Sequence, residues 1–412
     1  MEIRRTYMMV GGRIPCMVYE PRICAEKAAV SVILMHSDQN YIEFPPALEL
    51  SSRGFRVFAA AFPNSRVPLW QKLQQLSQIV ELAAGWNGTE KIVLLGHSGG
   101  ATLMTAYQAV AEKGIAVFQG PEKIIKLPDI GPFRPADGLM LIDANYGNGA
   151  MSLLSLDPSI VDESDPAKRD PSLDVMDPAN GIAGAEEPHP SDEFLKRFWE
   201  GQRLRMDRLI KHAQDRISLI EQGRGLYTDD EPFIIPGGNQ TKPCNKIFPQ
   251  LDRLLSRTRG EWPLIHGDGS ITVQTVPCVR SRDMLIDASS RCGTGVLNTT
   301  VRMFLDSSAV RAMPGLCVDE SGVKNVDWDS SYCTGMGNIA HISCPMLLMG
   351  LTAGYEYITA EQLMDRAVNA KDKTLAFAEG IGHNFTADPK WGNTLGACFD
   401  YVSEWLLQKQ LS

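Results

Sequence analysis

Residues 91–100 read Lys-Ile-Val-Leu-Leu-Gly-His-Ser-Gly-Gly: an apolar run that ends in Gly96-His97-Ser98-Gly99-Gly100, with a helix-like stretch following at 101–113. This is a G-x-S-x-G signature set between a buried strand and a helix, the context that gives the motif meaning. A turn that sharp forces its central residue into strained backbone geometry. Glycines at 96 and 100 remove side chains that would otherwise collide with the neighbouring strand and helix. Ser98 is therefore expected at the carboxyl edge of a sheet. The N-terminus of the next helix then points at any negative charge that forms nearby.

Outward from this turn the chain alternates between strands and helices. Residues 3–21 read as a hairpin turning at Gly11-Gly12. Residues 30–35 and 55–62 are apolar runs without alternation, as in strands covered on both faces, and an amphipathic segment stopped by Gly54 lies between them. Residues 67–86 have helical spacing and lead into the strand before Ser98, and 136–147 form another buried strand. The pattern breaks near residue 148. It resumes at 344–357 (strand), 359–370 (helix), 373–380 (strand), a loop, and a last helix at 392–408. Strand–helix alternation of this kind predicts a mostly parallel sheet with right-handed crossovers.

The long insertion starts with an acidic, proline-studded stretch at 157–193, read as a loop excursion. Residues 192–222 follow as an amphipathic helix, 246–260 and 298–313 as further helices, and 262–279 as a hairpin around a Gly-Asp-Gly turn. Its aromatic residues, such as Phe198, Trp199 and Tyr227, read as packing, and the Arg and Lys residues of 203–212 as a solvated face. There is no internal repeat.

Bulk properties set limits. A chain of 412 residues, 44% hydrophobic and 22% charged, has the make-up of a globular protein with one large inserted domain or two domains. A net charge of −9 without a compensating basic block speaks against nucleic acid or an anionic membrane as partner. No window has the apolar length of a membrane span or signal peptide. The nine cysteines stand singly at 16, 24, 244, 278, 292, 317, 333, 344 and 398, with no C-x-x-C pair for zinc. Together these set the expectation of a reduced, cytoplasmic protein without metal or cofactor, its partner a small-molecule substrate. Oligomeric state, including a homo-oligomer, stays open.

The elbow and the order of its companions along the chain resemble the α/β-hydrolase superfamily. That resemblance implies a mostly parallel eight-stranded sheet flanked by helices, a Ser-His-acid triad, an oxyanion hole and a mainly helical cap after the sixth strand. It divides the chain into a core of 1–147 and 341–412 and a cap of 148–340. The base is expected on the loop after the last strand, where His383 sits between Gly382 and Asn384, and Gly380 and Gly382 let that loop approach the elbow. The other histidines fit less well: His36 ends a strand, His97 is fixed in the elbow, and His189, His212, His266 and His341 belong to the insertion or its edge.

The acid is open between two residues. Family members usually carry it after the seventh strand, but the expected position falls at Gly354, so Glu356 is the first choice. Asp143, ending the sixth strand, is the alternative, with Glu361 and Asp365 behind them. The oxyanion hole is expected from the amide of Gly99 and that of Asp38, with Ser37 as second choice. A bare carboxylate on Asp38 would oppose an oxyanion, so that side chain should point away or find a partner. The expected activity is cleavage of an ester, lactone or thioester through an acyl-enzyme. The rivals are C–C hydrolysis or a lyase reaction on the same triad, and a non-catalytic ligand-binding homologue.

Overall fold

The first six strands are β1 (Ile3–Val10), β2 (Ile14–Pro21), β3 (Val30–Met35), β4 (Arg56–Ala60), β5 (Lys91–Ser98) and β6 (Gly138–Ala144). Helices α1 (Pro45–Ser52), α2 (Leu69–Ala84) and α3 (Gly100–Lys113) connect them. The insertion carries α4 (Asn148–Leu153), α5 (Asp192–Glu221), α6 (Val301–Ser307) and α7 (Gly335–Asn338). Its strands are β7 (Pro232–Ile235), β8 (Arg257–Ile265), β9 (Ile271–Pro277), β10 (Leu297–Thr300), β11 (Arg311–Asp319) and β12 (Gly322–Asp327). The chain closes with β13 (Met346–Leu351), α8 (Thr359–Arg366), β14 (Lys373–Ala378) and α9 (Thr394–Gln408). This computed structural model describes residues 2–22, 26–182, 188–240, 246–280 and 295–408.

Among the described residues one sheet runs β1-β2-β4-β3-β5-β6-β13-β14-β8-β9. From β4 to β8 neighbouring strands are parallel; β1, β2 and β9 run antiparallel to their neighbours. The first eight in this order form the α/β-hydrolase sheet. Strands β3, β5 and β6 are buried on both faces, as their unbroken apolar runs demand. Residues of α2, α3 and α8 fill one side of the sheet, and those of α1 and α9 the other. Ser98 ends β5 near the middle of this sheet, where β3 and β6 flank it.

Part of the insertion joins the main sheet. Its hairpin β8–β9 forms as expected, but β8 pairs in parallel with β14, so Phe377 faces Leu264 and Ala378 faces Ile265. Residues 257–277 thus extend the main sheet although they lie between 148 and 340 in sequence. The helix expected over 246–260 is absent: one short turn at Phe248–Gln250 contains Pro249, another turn follows at 252–255, and the chain is extended from Arg257. The buried carboxylate of Glu361 accounts for the extension, accepting the backbone N–H of Arg259 at 3.0 Å and of Gly260 at 2.8 Å. The helix expected over 298–313 shortens to α6, with strand residues on both sides.

Helix α5 spans nearly the whole of its predicted segment. Ser191 caps it by accepting the Phe194 N–H at 3.1 Å, and Asp192 and Glu193 favour its positive end. The described part of the acidic stretch before it holds no α-helix. Cys24, Cys244 and Cys292 lie outside the described residues, and the other six cysteines are free thiols. No described helix is long and apolar enough to cross a membrane.

Candidate active site

The elbow has the strain its sequence implies. Ser98 has φ of 53°, in the left-handed region that non-glycine residues avoid. A Cβ on Gly96 would come within 2.7 Å of the Ala101 Cα, and one on Gly100 within 2.8 Å of the Met35 carbonyl. Only glycine fits at either position, and the result is a serine lifted above the sheet edge.

His383 reaches Ser98 from the loop after β14. Its Nε2 lies 2.9 Å from Ser98 Oγ and its Nδ1 2.6 Å from Asp143 Oδ2. Asp143 is fully buried at the end of β6, and its other oxygen accepts the Leu351 N–H at 2.9 Å. Glu356, first choice on sequence, makes no such bond: its Oε2 stands 3.7 Å from Nδ1. The acid hydrogen-bonded to His383 is therefore Asp143, which corrects the order read from spacing. Asp365 and Glu361 are engaged elsewhere, with Arg259.

The loop bearing His383 is tied to the elbow itself. The Tyr41 hydroxyl donates to His97 Nδ1 at 2.7 Å, and His97 Nε2 donates to the His383 carbonyl, also at 2.7 Å. A carbonyl only accepts, so the proton of His97 is on Nε2. Burial holds this imidazole neutral by pulling it well below the usual histidine range. His97, Asp143 and His383 also bring three potential metal-ligand atoms within 4.8 Å of one another, but the atoms facing each other are already taken up in these bonds.

Electrostatics separate the members of the cluster. Burial pulls His383 down, but the charges of Glu356 and Asp143 outweigh it and push the imidazole up to about 9. Burial raises Asp143 to about 6, against the pull of its bond to His383. The buried Lys246, from the insertion, is drawn down to about 8 by the loss of water around it.

The oxyanion side departs from expectation. The Asp38 N–H donates to His36 Nδ1 at 2.9 Å, and the Gln39 N–H shares that acceptor at 3.0 Å. The Asp38 amide is thus already engaged by the His36 ring. The Ser37 and Gly99 amides form no hydrogen bond among the described residues. A Cβ on Gly99 would stand 2.8 Å from Ser37 Oγ, so the two residues are in close contact. The Asp38 carboxylate has found partners: Lys72 Nζ at 3.0 Å, Ser37 Oγ at 2.6 Å and Asn148 Nδ2 at 3.2 Å. Burial opposes its charge, but Lys72 and Ser37 prevail and the carboxyl lies below its ordinary value.

Sequence reading missed Asn145. Its Nδ2 points at Ser98 Oγ from 3.3 Å, and its Oδ1 accepts the Gly147 N–H at 2.8 Å, which fixes the amide with its donor toward the serine. The signal available was position alone, two residues beyond Asp143, just past the end of β6 beside the elbow. Lys72 and Tyr41 were missed too, for their roles depend on contacts between distant segments.

No family model matches the chain, and no curated protein matches it. Solved structures similar to it include DcsB in complex with its substrate analogue, 11% identical with 99% of each chain covered and a TM-score of 0.44. Another is the siderophore hydrolase EstB from Aspergillus fumigatus, 9% identical over 100% of this chain and 99% of that one, with a TM-score of 0.44. A third is Est1E from Butyrivibrio proteoclasticus, 10% identical over 99% of each chain, with a TM-score of 0.41. The strand order and the elbow carry the assignment without them: the chain has the α/β-hydrolase fold.

Proposed function

We propose that this protein is a serine hydrolase that cleaves a carboxylic ester, lactone or thioester of a small to medium organic substrate. The observation that carries the reading is the line of hydrogen bonds Ser98 Oγ, His383, Asp143, ending on a nucleophile held at φ 53°. His383 takes the Ser98 proton as Oγ attacks the carbonyl, and Asp143 holds the imidazole in the tautomer that can accept it. The Gly99 and Ser37 amides stabilise the oxyanion, and α3 adds the positive end of its dipole. The proton passes to the leaving group, water attacks the acyl-enzyme with His383 again as base, and Ser98 is restored. The step sequence uses no cofactor.

Within this reading, residues 148–340 other than the β8–β9 hairpin form the cap. Asn148 and Lys246 support that role, the first bonded to Asp38 and the second acting electrostatically on His383. A cap of this size favours an enclosed pocket over an open cleft. The test is a panel of p-nitrophenyl esters of graded chain length, lactones and thioesters, run beside Ser98→Ala. Turnover by the parent protein and none by the variant supports the reading. Cleavage of a β-diketone with every ester left intact would move it to C–C hydrolysis.

A further inference from the structure

His383 faces two carboxylates. Asp143 takes the hydrogen bond to Nδ1, while Glu356 Oε2, from the segment after β13, lies 3.7 Å from the same nitrogen. They converge over Gly354, where a Cβ would stand 3.3 Å from Glu356 Oε2 and 3.7 Å from Asp143 Oδ2. Both are buried, Asp143 completely and Glu356 with 7% exposure. Two like charges this close in a water-poor site repel each other, and a cation beside them relieves the repulsion. The His383 ring occupies that place, and its protonated form supplies the cation.

Among the described residues, other titratable groups act on the cluster, Tyr41 and Tyr355 beside its acids and three more around His383. The His97 ring, in the elbow, lies 4.6 Å away centre to centre, His36 follows β3, and Lys246 belongs to the insertion. Burial keeps His97 and His36 neutral, drawing the second down to about 4. Lys246 opposes the carboxylates in its action on His383 but is itself weakened by burial. The strong field at the imidazole is therefore that of two acids on one side.

We propose that Glu356 is a positioning residue for charge: Asp143 orients the imidazole, and Glu356 sets how strongly that imidazole holds its proton. This rests on the serine-hydrolase reading and divides between two residues a task that spacing assigns to one. A second anion favours imidazolium over imidazole. It stabilises the ion pair formed when Ser98 gives up its proton, and it shifts the pH at which the free base becomes available upward.

The experiment is the rate of fluorophosphonate labelling of Ser98 against pH, for the parent protein, Glu356→Gln and Glu356→Asp. Removing the charge in Glu356→Gln moves the acid limb to lower pH by about one pH unit and lowers the alkaline plateau. Glu356→Asp keeps the charge one methylene further back and moves the limb a smaller distance the same way. A limb that stays in place in Glu356→Gln overturns the proposal, even if the plateau falls, since loss of packing alone changes the rate and not the titration. Should Glu356→Gln fail to fold, an unmoved limb in Glu356→Asp overturns it equally. Absence of labelling in the parent protein at any pH is a different failure, that of the serine-hydrolase reading itself.

Discussion

The two flanks of Ser98 are built on different principles. On the β6–β13–β14 flank, side chains meet side chains: His383, Asp143, Glu356 and Asn145 converge on or near one hydroxyl. On the β3 flank the Ser37 and Gly99 amides carry no hydrogen bond among the described residues, and the Asp38 carboxylate there is paired with Lys72 and accepts a further bond from Asn148. In the proposed mechanism the first flank moves protons, so its chemistry depends on residue type. The second would receive charge in fixed N–H groups, so it depends on local geometry and on keeping a stray carboxylate paired.

The sharpest way to break this contrast is on the proton-moving flank. Ser98→Ala and His383→Ala should each lower kcat for a good ester by about 10⁶-fold, with little change in KM. Asp143→Asn should cost about 10⁴-fold, because the imidazole loses the acceptor that selects its tautomer. Glu356→Gln should cost much less, and steady-state kinetics on the four variants give the ranking. If Glu356→Gln were the more damaging of the two acid variants, the roles given to the carboxylates would be reversed.

Asn145→Ala removes one neutral donor to Oγ, an effect of about 1 kcal/mol, or roughly fivefold in kcat. A loss above a hundredfold would make that amide part of the oxyanion machinery rather than an aid to holding the serine. Smallest in rate is Lys72→Met, expected to leave kcat within about twofold while lowering stability by about 1–3 kcal/mol, since the Asp38 carboxylate loses its cation. Thermal melting of Lys72→Met beside Lys72→Met/Asp38→Asn checks this, and the double variant should recover part of the loss. The pH profile sharpens the contrast further. In the proposed mechanism His383 must be the neutral base, and its neighbours push it up to about 9, so kcat/KM should climb with pH toward that value.

The same contrast explains what was legible in the sequence. Ser98 and His383 are marked by glycines whose necessity is local: Gly96 and Gly100 for close approach, Gly380 for a φ of 69°. The acid was ambiguous because Asp143 and Glu356 approach the same nitrogen from neighbouring strands, and spacing along a chain does not resolve two routes to one point. The bond that engages the Asp38 amide was not legible, because it depends on the orientation of the His36 ring. In the insertion, β8–β9 could be read as a hairpin from its Gly-Asp-Gly turn, but not its pairing with β14, which begins more than a hundred residues later. The helix missing from 246–260 gave way to Pro249 and to Glu361, whose buried carboxylate needs the extended backbone at Arg259 and Gly260.

The most direct test of the central claim is intact-protein mass spectrometry after exposure to a fluorophosphonate, with the modified residue located by fragmentation. The account predicts one adduct on Ser98, absent from Ser98→Ala and formed far more slowly in His383→Ala. An unmodified parent protein, or an adduct that persists in Ser98→Ala, would contradict it.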